Sequence, residues 1–157
     1  MEISETDRKI LGVMIANSRL SLRDIAKKIG VSVATVMHHV KSLEDAGIIK
    51  GYTAKIDYEK SGYDIEVIIE IRISKGKLIE VERKIATHPN VFAIYDITGT
   101  FDAVILARFK STRQMDAFLK KIQSYEFVER TETKLILKTN CMRKIKVYSQ
   151  RRQFKKL

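Results

Sequence analysis

The stretch "LRDIAKKIGVSVATVMHHVKSLEDAG", residues 22–47, decides the fold. Ser21 followed by Asp24 is a helix-start signal, and Ile25, Ala26 and Ile29 then recur at helical spacing until Gly30 stops the run. Ser32 caps the next helix, whose Val36, Val40 and Leu43 fall at i, i+4 and i+7 before Gly47 ends it. Ala26 is small where two helices cross, Gly30 permits the tight turn, and Val36, six residues on, plugs the angle between them. That is the spacing of a helix-turn-helix.

Upstream, Ser4 with Asp7 opens a first helix carrying Ile10, Leu11, Met14 and Ile15 on one face. Three short capped helices therefore fill the first fifty residues. Downstream, "IIKGYTAKID" (48–57) reads as two short strands turning at Lys50-Gly51, a wing, and "YEKSGY" (58–63) reads as a linker.

The third helix is long enough, at about 1.5 Å per residue, to lie in a major groove. On the side away from Val36, Val40 and Leu43, the groove-facing candidates are Ser32, Ala34, Thr35, His38 and His39, with Lys41 and Ser42 nearer phosphates. Hydroxyls and small apolar groups contact base edges or a thymine methyl, while lysines add sequence-independent attraction. The plain alternative is a three-helix packing domain that binds nothing. The capped short helix, glycine turn, polar third helix and trailing wing together favour double-stranded DNA as partner.

From Asp64 the period changes to two. Ile65, Val67, Ile69, Ile71 and Ile73 alternate with mostly charged residues, as a half-buried strand does. A helix with Leu78, Val81 and Ile85 on one face follows and must end at Pro89. "VFAIYDIT" and "AVILARFK" are strands joined at Gly99-Thr100-Phe101-Asp102; Ser111 with Gln114 forms a capping box for a helix bearing Met115, Phe118, Leu119 and Ile122; "VERTETKLILKT" is a last strand. The order β-α-β-β-α-β is the ferredoxin-like pattern. The fold class expected is α+β: a winged helix-turn-helix over residues 1–57, the linker 58–63, a βαββαβ domain over 64–139, and a tail over 140–157.

The two middle strands are apolar on both faces, with Val91, Ala93, Tyr95 and Ile97 alternating against Phe92 and Ile94, and Val104 and Leu106 opposite Ala103, Ile105, Ala107 and Phe109. Two helices cover only one face of a four-stranded sheet. The other face calls for a partner, most simply the same sheet of a second subunit, so a homodimer is expected.

The net charge of +11 points to a polyanion, but residues 138–157 carry eight basic and no acidic side chains and so hold most of the excess. The tail reads as a phosphate-binding arm, an extra strand through "KIKVY", or a solvated end. No apolar run approaches the ~20 residues that span a bilayer, the opening "MEISETDRK" lacks a signal peptide's apolar core, and the single Cys141 forms no internal disulfide, so no membrane and a cytoplasmic location are expected. His38 and His39 point about 100° apart on a helix, which suits no simple chelate, and Asp96 with Asp102 lacks any nucleophile motif. Neither a metal, nor a cofactor, nor a catalytic site is read.

The pieces "DRKIL", "IAKKIGVSVATV", "LEDAGIIKGYTAKID", the "GY" at 62–63, "YDITGTFD" and "ERTETKLILK", in that order and spacing over about residues 4 to 139, resemble the Lrp/AsnC family, the feast/famine regulators. The resemblance implies a DNA reader followed by an effector domain, pairing through the sheets, assembly into octamers or other higher oligomers, and transcriptional regulation tuned by amino acids or related small molecules. It also implies that Thr98, Gly99, Thr100 and Phe101 shape an effector pocket, that Asp102 faces a ligand amine, and that Thr131 and Thr133 supply hydroxyls. By residue type alone, the same turn reads first as a plain hairpin, since Gly and Asp are what a four-residue β-turn prefers. The chain departs from the family where His39 replaces a common arginine, where "SYEFVERTET" lacks a Pro-Gly, and in its longer basic tail. A ligand-independent architectural DNA-binding protein is the alternative function.

Overall fold

The computed structural model describes residues 2–74 and 76–140, and these divide between Lys55 and Ile56 into two compact units. The basic tail from residue 141 onward lies outside the described residues.

The first unit is three helices: α1 (Glu5–Ala16), α2 (Leu22–Ile29) and α3 (Val33–Asp45). Each begins where a serine sits. Ser4 and Asp7 exchange hydrogen bonds as a capping box, Ser21 and Asp24 do the same, and Ser32 accepts from the Thr35 N–H. These hydroxyls satisfy N–H groups that the helix itself leaves unpaired. Gly30 stands at φ 77°, a left-handed conformation that costs a residue with Cβ, and it turns α2 into α3. Ile10, Ile25, Ala26, Val36 and Val40 form one small buried cluster. Beyond α3 the expected wing strands do not pair: residues 48–57 carry no strand and are mostly exposed. An isolated two-stranded ribbon is marginal in water without a third strand or a packed face. The segment is held instead by the Tyr52 hydroxyl, which donates to Glu44 at 2.7 Å; burial and that carboxylate push the phenol up to about 12.

The second unit runs β1 (Ile65–Ile73), α4 (Leu78–Ala86), β2 (Val91–Asp96), β3 (Ala103–Phe109), α5 (Thr112–Gln123), β4 (Val128–Leu135). The strands form one antiparallel sheet in the order β2-β3-β1-β4. Val67, Ile69, Ile71 and Ile73 alternate inward from β1, and Ala103, Ile105, Ala107 and Phe109 from β3; α4 adds Val81 and Ile85, and α5 adds Phe118 and Ile122. Both helices thus pack on one side of the sheet. Ser111 caps α5 as expected, but Gln114 reaches back to the Lys110 N–H rather than to Ser111, so the reciprocal half of the box is displaced by one residue.

The simple alternation expected for β2 fails. Val91 pairs with Ala107 and Ala93 with Leu106, so a bulge at Phe92 shifts the register. Val91 and Ile94 therefore both pack on the helix side, while Ala93 and Tyr95 join Leu106 and Val104 on the open side. The open face is apolar toward β2 and β3. Toward β1 and β4 it is ion-paired, Glu70 and Glu132 with Lys134 and Arg72 with Glu129.

Residues 58–63 belong with this second unit rather than standing apart as a free linker. Arg108 bonds Glu66 at 2.9 Å and lies 4.4 Å from the Tyr58 ring and 4.0 Å from the Phe92 ring, and Lys110 lies 5.2 Å from the Tyr63 ring. Stacked cations of this kind fasten an otherwise polar segment to the sheet.

Candidate nucleic-acid interface and effector turn

The thirteen residues of α3 make a rod about 20 Å long, and Val36, Val40 and Leu43 bury one side of it. Ser32, Ala34, His38 and Lys41 are exposed on the remainder, with Thr35 and Ser42 half-buried. Ser32 Oγ and Thr35 Oγ1 share a hydrogen bond of 2.8 Å, so the two hydroxyls present themselves as a coupled pair at the helix start. No helix among the described residues is long and apolar enough to cross a membrane, and no group of three or more metal-binding side chains occurs among them.

His39, groove-facing by its spacing, is half-buried and engaged within the protein. It lies one turn from Val36 at the edge of the buried face, and its Nδ1 bonds Asp7 Oδ1 of α1 at 2.7 Å. Asp7 is 3 % exposed and also accepts from the Ser4 N–H and hydroxyl. Burial pushes its carboxyl up, but the hydrogen bonds from Ser4 and His39 outweigh that and hold it below the usual carboxylate range. A buried carboxylate needs such partners. His39 thereby ties the third helix to the first, leaving Nε2 as the ring nitrogen not committed to Asp7. His38 packs edge-on against it with ring centres 5.9 Å apart.

Two further side chains of α3, Val33 and Met37, are 43 % and 57 % exposed and do not figure among the groove-facing candidates of the sequence. The available signal was angular. Met37 sits 100° round the helix from Val36, outside the arc that Val36, Val40 and Leu43 define.

At the other candidate site, the turn 97–102 closes the end of the sheet where β1 finishes and β4 begins. Thr98, Gly99 and Thr100 are exposed, and Gly99 has φ 121°, a conformation natural to glycine. Phe101 is half-buried with the Arg130 guanidinium 5.7 Å from its ring. Asp102 has a structural occupation: its Oδ2 accepts the Ile73 N–H at 2.7 Å and its own N–H donates to the Ile71 carbonyl at 2.9 Å. The carboxylate thus extends the β1–β3 ladder past its last pair. Thr131 lies opposite Ile71 near this end and accepts from Gln123 of α5 at 2.9 Å; Thr133 is two residues further along β4, opposite Ile69, and exposed. The turn, Phe101, Asp102 and Thr131 are brought to one end; Thr133 stands back from it.

Near the same end, Glu82 of α4 has one carboxylate oxygen buried without a hydrogen-bond partner. Burial first, and then the neighbouring Asp96, push its carboxyl up to about 7.

Residues 3–50 match the family described as winged helix-turn-helix DNA-binding, and residues 66–145 match the Lrp/AsnC ligand binding domain. An uncharacterised helix-turn-helix-type transcriptional regulator of Pyrococcus furiosus is 45% identical over 137 residues, covering 87% of this chain and 93% of the relative. Among solved structures, AsnC of E. coli superposes with a TM-score of 0.86 at 29% identity, over 93% of this chain and 99% of that one. A transcriptional regulator of Neisseria meningitidis, solved as its complex with L-Met, superposes with a TM-score of 0.85 at 25% identity, over 90% and 94% of the two chains.

Proposed function

Because the chain belongs to the Lrp/AsnC family of DNA-binding transcriptional regulators, we propose that α3 reads operator sequence, that the open sheet face pairs with a second copy, and that an amino acid or related small molecule acts at the 97–102 end of the sheet. The observation that carries the DNA reading is the α2–Gly30–α3 unit, which buries Val36, Val40 and Leu43 and leaves the opposite side of a groove-length helix exposed. Pairing is supported by the apolar surface of Ala93, Tyr95, Val104 and Leu106, which neither helix covers. An effector is supported by the match to a ligand-binding domain and by the L-Met complex of the Neisseria regulator. Dimers joined into octamers or other higher oligomers would present several α3 helices to sites one helical turn apart, and an effector favouring one assembly would shift which sites are held.

Thr35→Glu with His38→Glu places two carboxylates on the reading side of α3 and is expected to abolish binding to a selected operator while circular dichroism stays unchanged. Retention of operator binding by the folded double variant would remove α3 from the interface. In the same preparation, an amino acid present at about 100 Kd is expected to add ~2.7 kcal/mol of stability. A full amino-acid panel that leaves Tm unmoved would remove the effector from the proposal. Footprints divided into discrete half-sites accord with a regulator; uniform coverage would favour the architectural alternative.

A further inference from the structure

The exposed side of α3 is unusual in what it offers a base edge. Ser32 and Thr35 are bonded to each other, and His39 is committed through Nδ1 to Asp7. That leaves the first two turns with three exposed apolar side chains, Val33, Ala34 and Met37, beside His38. Val33 and Met37 are one helical turn apart and form a continuous strip, and Lys41 continues it at the next turn with a charge suited to phosphate. Exposed valine and methionine on the same helix face gain nothing from water, and neither belongs to the buried cluster under α3.

The major groove exposes one apolar group on its base edges, the 5-methyl of thymine. Methionine is unbranched and polarizable and fits such a surface without demanding one geometry. Resting on the reading of α3 as the DNA-reading helix, we infer that Val33 and Met37 form an apolar strip that selects operators by thymine methyls. Specificity in this protein then comes chiefly from methyl contact near the start of α3, with Lys41 adding affinity that is indifferent to sequence.

The test uses the full-length protein and a duplex selected by it from a random pool. Each thymine is replaced in turn by deoxyuridine, which removes the methyl and leaves the base-pairing edge intact. Affinity is expected to fall about fourfold for each contacted methyl lost, the share of one buried methyl-sized group. Met37→Ala is expected to weaken the thymine duplex by a similar factor and to be indifferent to deoxyuridine at the position that Met37 covers. Met37 is exposed, so an unchanged Tm is expected alongside. If wild-type affinity is indifferent to deoxyuridine at every position while Lys41→Ala and His38→Ala still weaken binding, methyl selection is overturned and α3 remains the reader. If none of these variants or replacements has any effect, both the strip and the assignment of α3 fail. Equal sensitivity of wild type and Met37→Ala to every deoxyuridine also overturns the role of Met37.

Discussion

The two units differ in where most of their polar side chains find partners. In the three-helix unit the caps are local, Ser4 with Asp7, Ser21 with Asp24 and Ser32 with Thr35, each three residues apart. In the sheet unit the Ser111 cap of α5 is also local, but the strands are tied by side chains that reach across the chain, Asp102 to Ile73, Arg108 to Glu66 and Ser74 to Glu129, as His39 reaches Asp7 in the helical unit. Local capping fixes each helix from its own sequence and leaves the outer side of α3 available to a partner. Long-range pairing uses the charges of the sheet to hold strands in place and leaves an apolar patch on β2 and β3. On the proposed reading, one unit offers a helix to DNA and the other offers an apolar sheet face to a second copy.

The sharpest way to break that contrast is Asp102→Ala. Its loss leaves the Ile73 N–H without its acceptor at the end of a central strand, and about 1–3 kcal/mol of stability is expected to disappear from the sheet unit in ligand-free denaturation. Asp102→Asn keeps an acceptor oxygen and is expected to recover most of it. A ligand-free Asp102→Ala protein as stable as wild type would return Asp102 to the purely ligand-facing role that the family resemblance implied.

A smaller effect sharpens the comparison through pH. Glu82 is held near 7, above the ordinary value of 4.5, so the folded state keeps its proton where the unfolded chain has released it. Its protonated form contributes stability that is complete below about pH 4.5 and is lost as pH rises through about 7. Glu82→Gln, a permanent stand-in for the neutral acid, is therefore expected to raise Tm at pH 8 and to leave it nearly unchanged at pH 4.5. A shift of equal size at both pH values would show that Glu82 ionises in the fold as it does in the unfolded chain.

What was legible in the sequence follows the same division. The helix starts at Ser4, Ser21 and Ser32 and the stop at Gly30 were readable because cap and helix lie within one turn of each other. The inward alternation of β1 was readable because every second residue is aliphatic. Four features were not. His39 meets Asp7 across 32 positions, and Asp102 meets Ile73 across 29, and neither distance leaves a trace in residue type or spacing. The bulge at Phe92 arises from the pairing of β2 with β3, and an uninterrupted apolar run such as "VFAIY" gives no sign of which residue is extra. The wing strands were read from apolar residues flanking Gly51, yet a ribbon also needs a surface to lie on.

Self-association is assigned to the half of the sheet that neither helix covers, and DNA reading to α3. Sedimentation equilibrium of the full-length protein beside Leu106→Glu measures it most directly, because Leu106 lies on the open side between Ala93 and Ile68 and outside the buried core. A wild-type mass of two subunits or a multiple of two is expected at micromolar concentration, and a folded monomer for Leu106→Glu. A wild-type monomer, or a variant whose mass equals that of wild type, would contradict it.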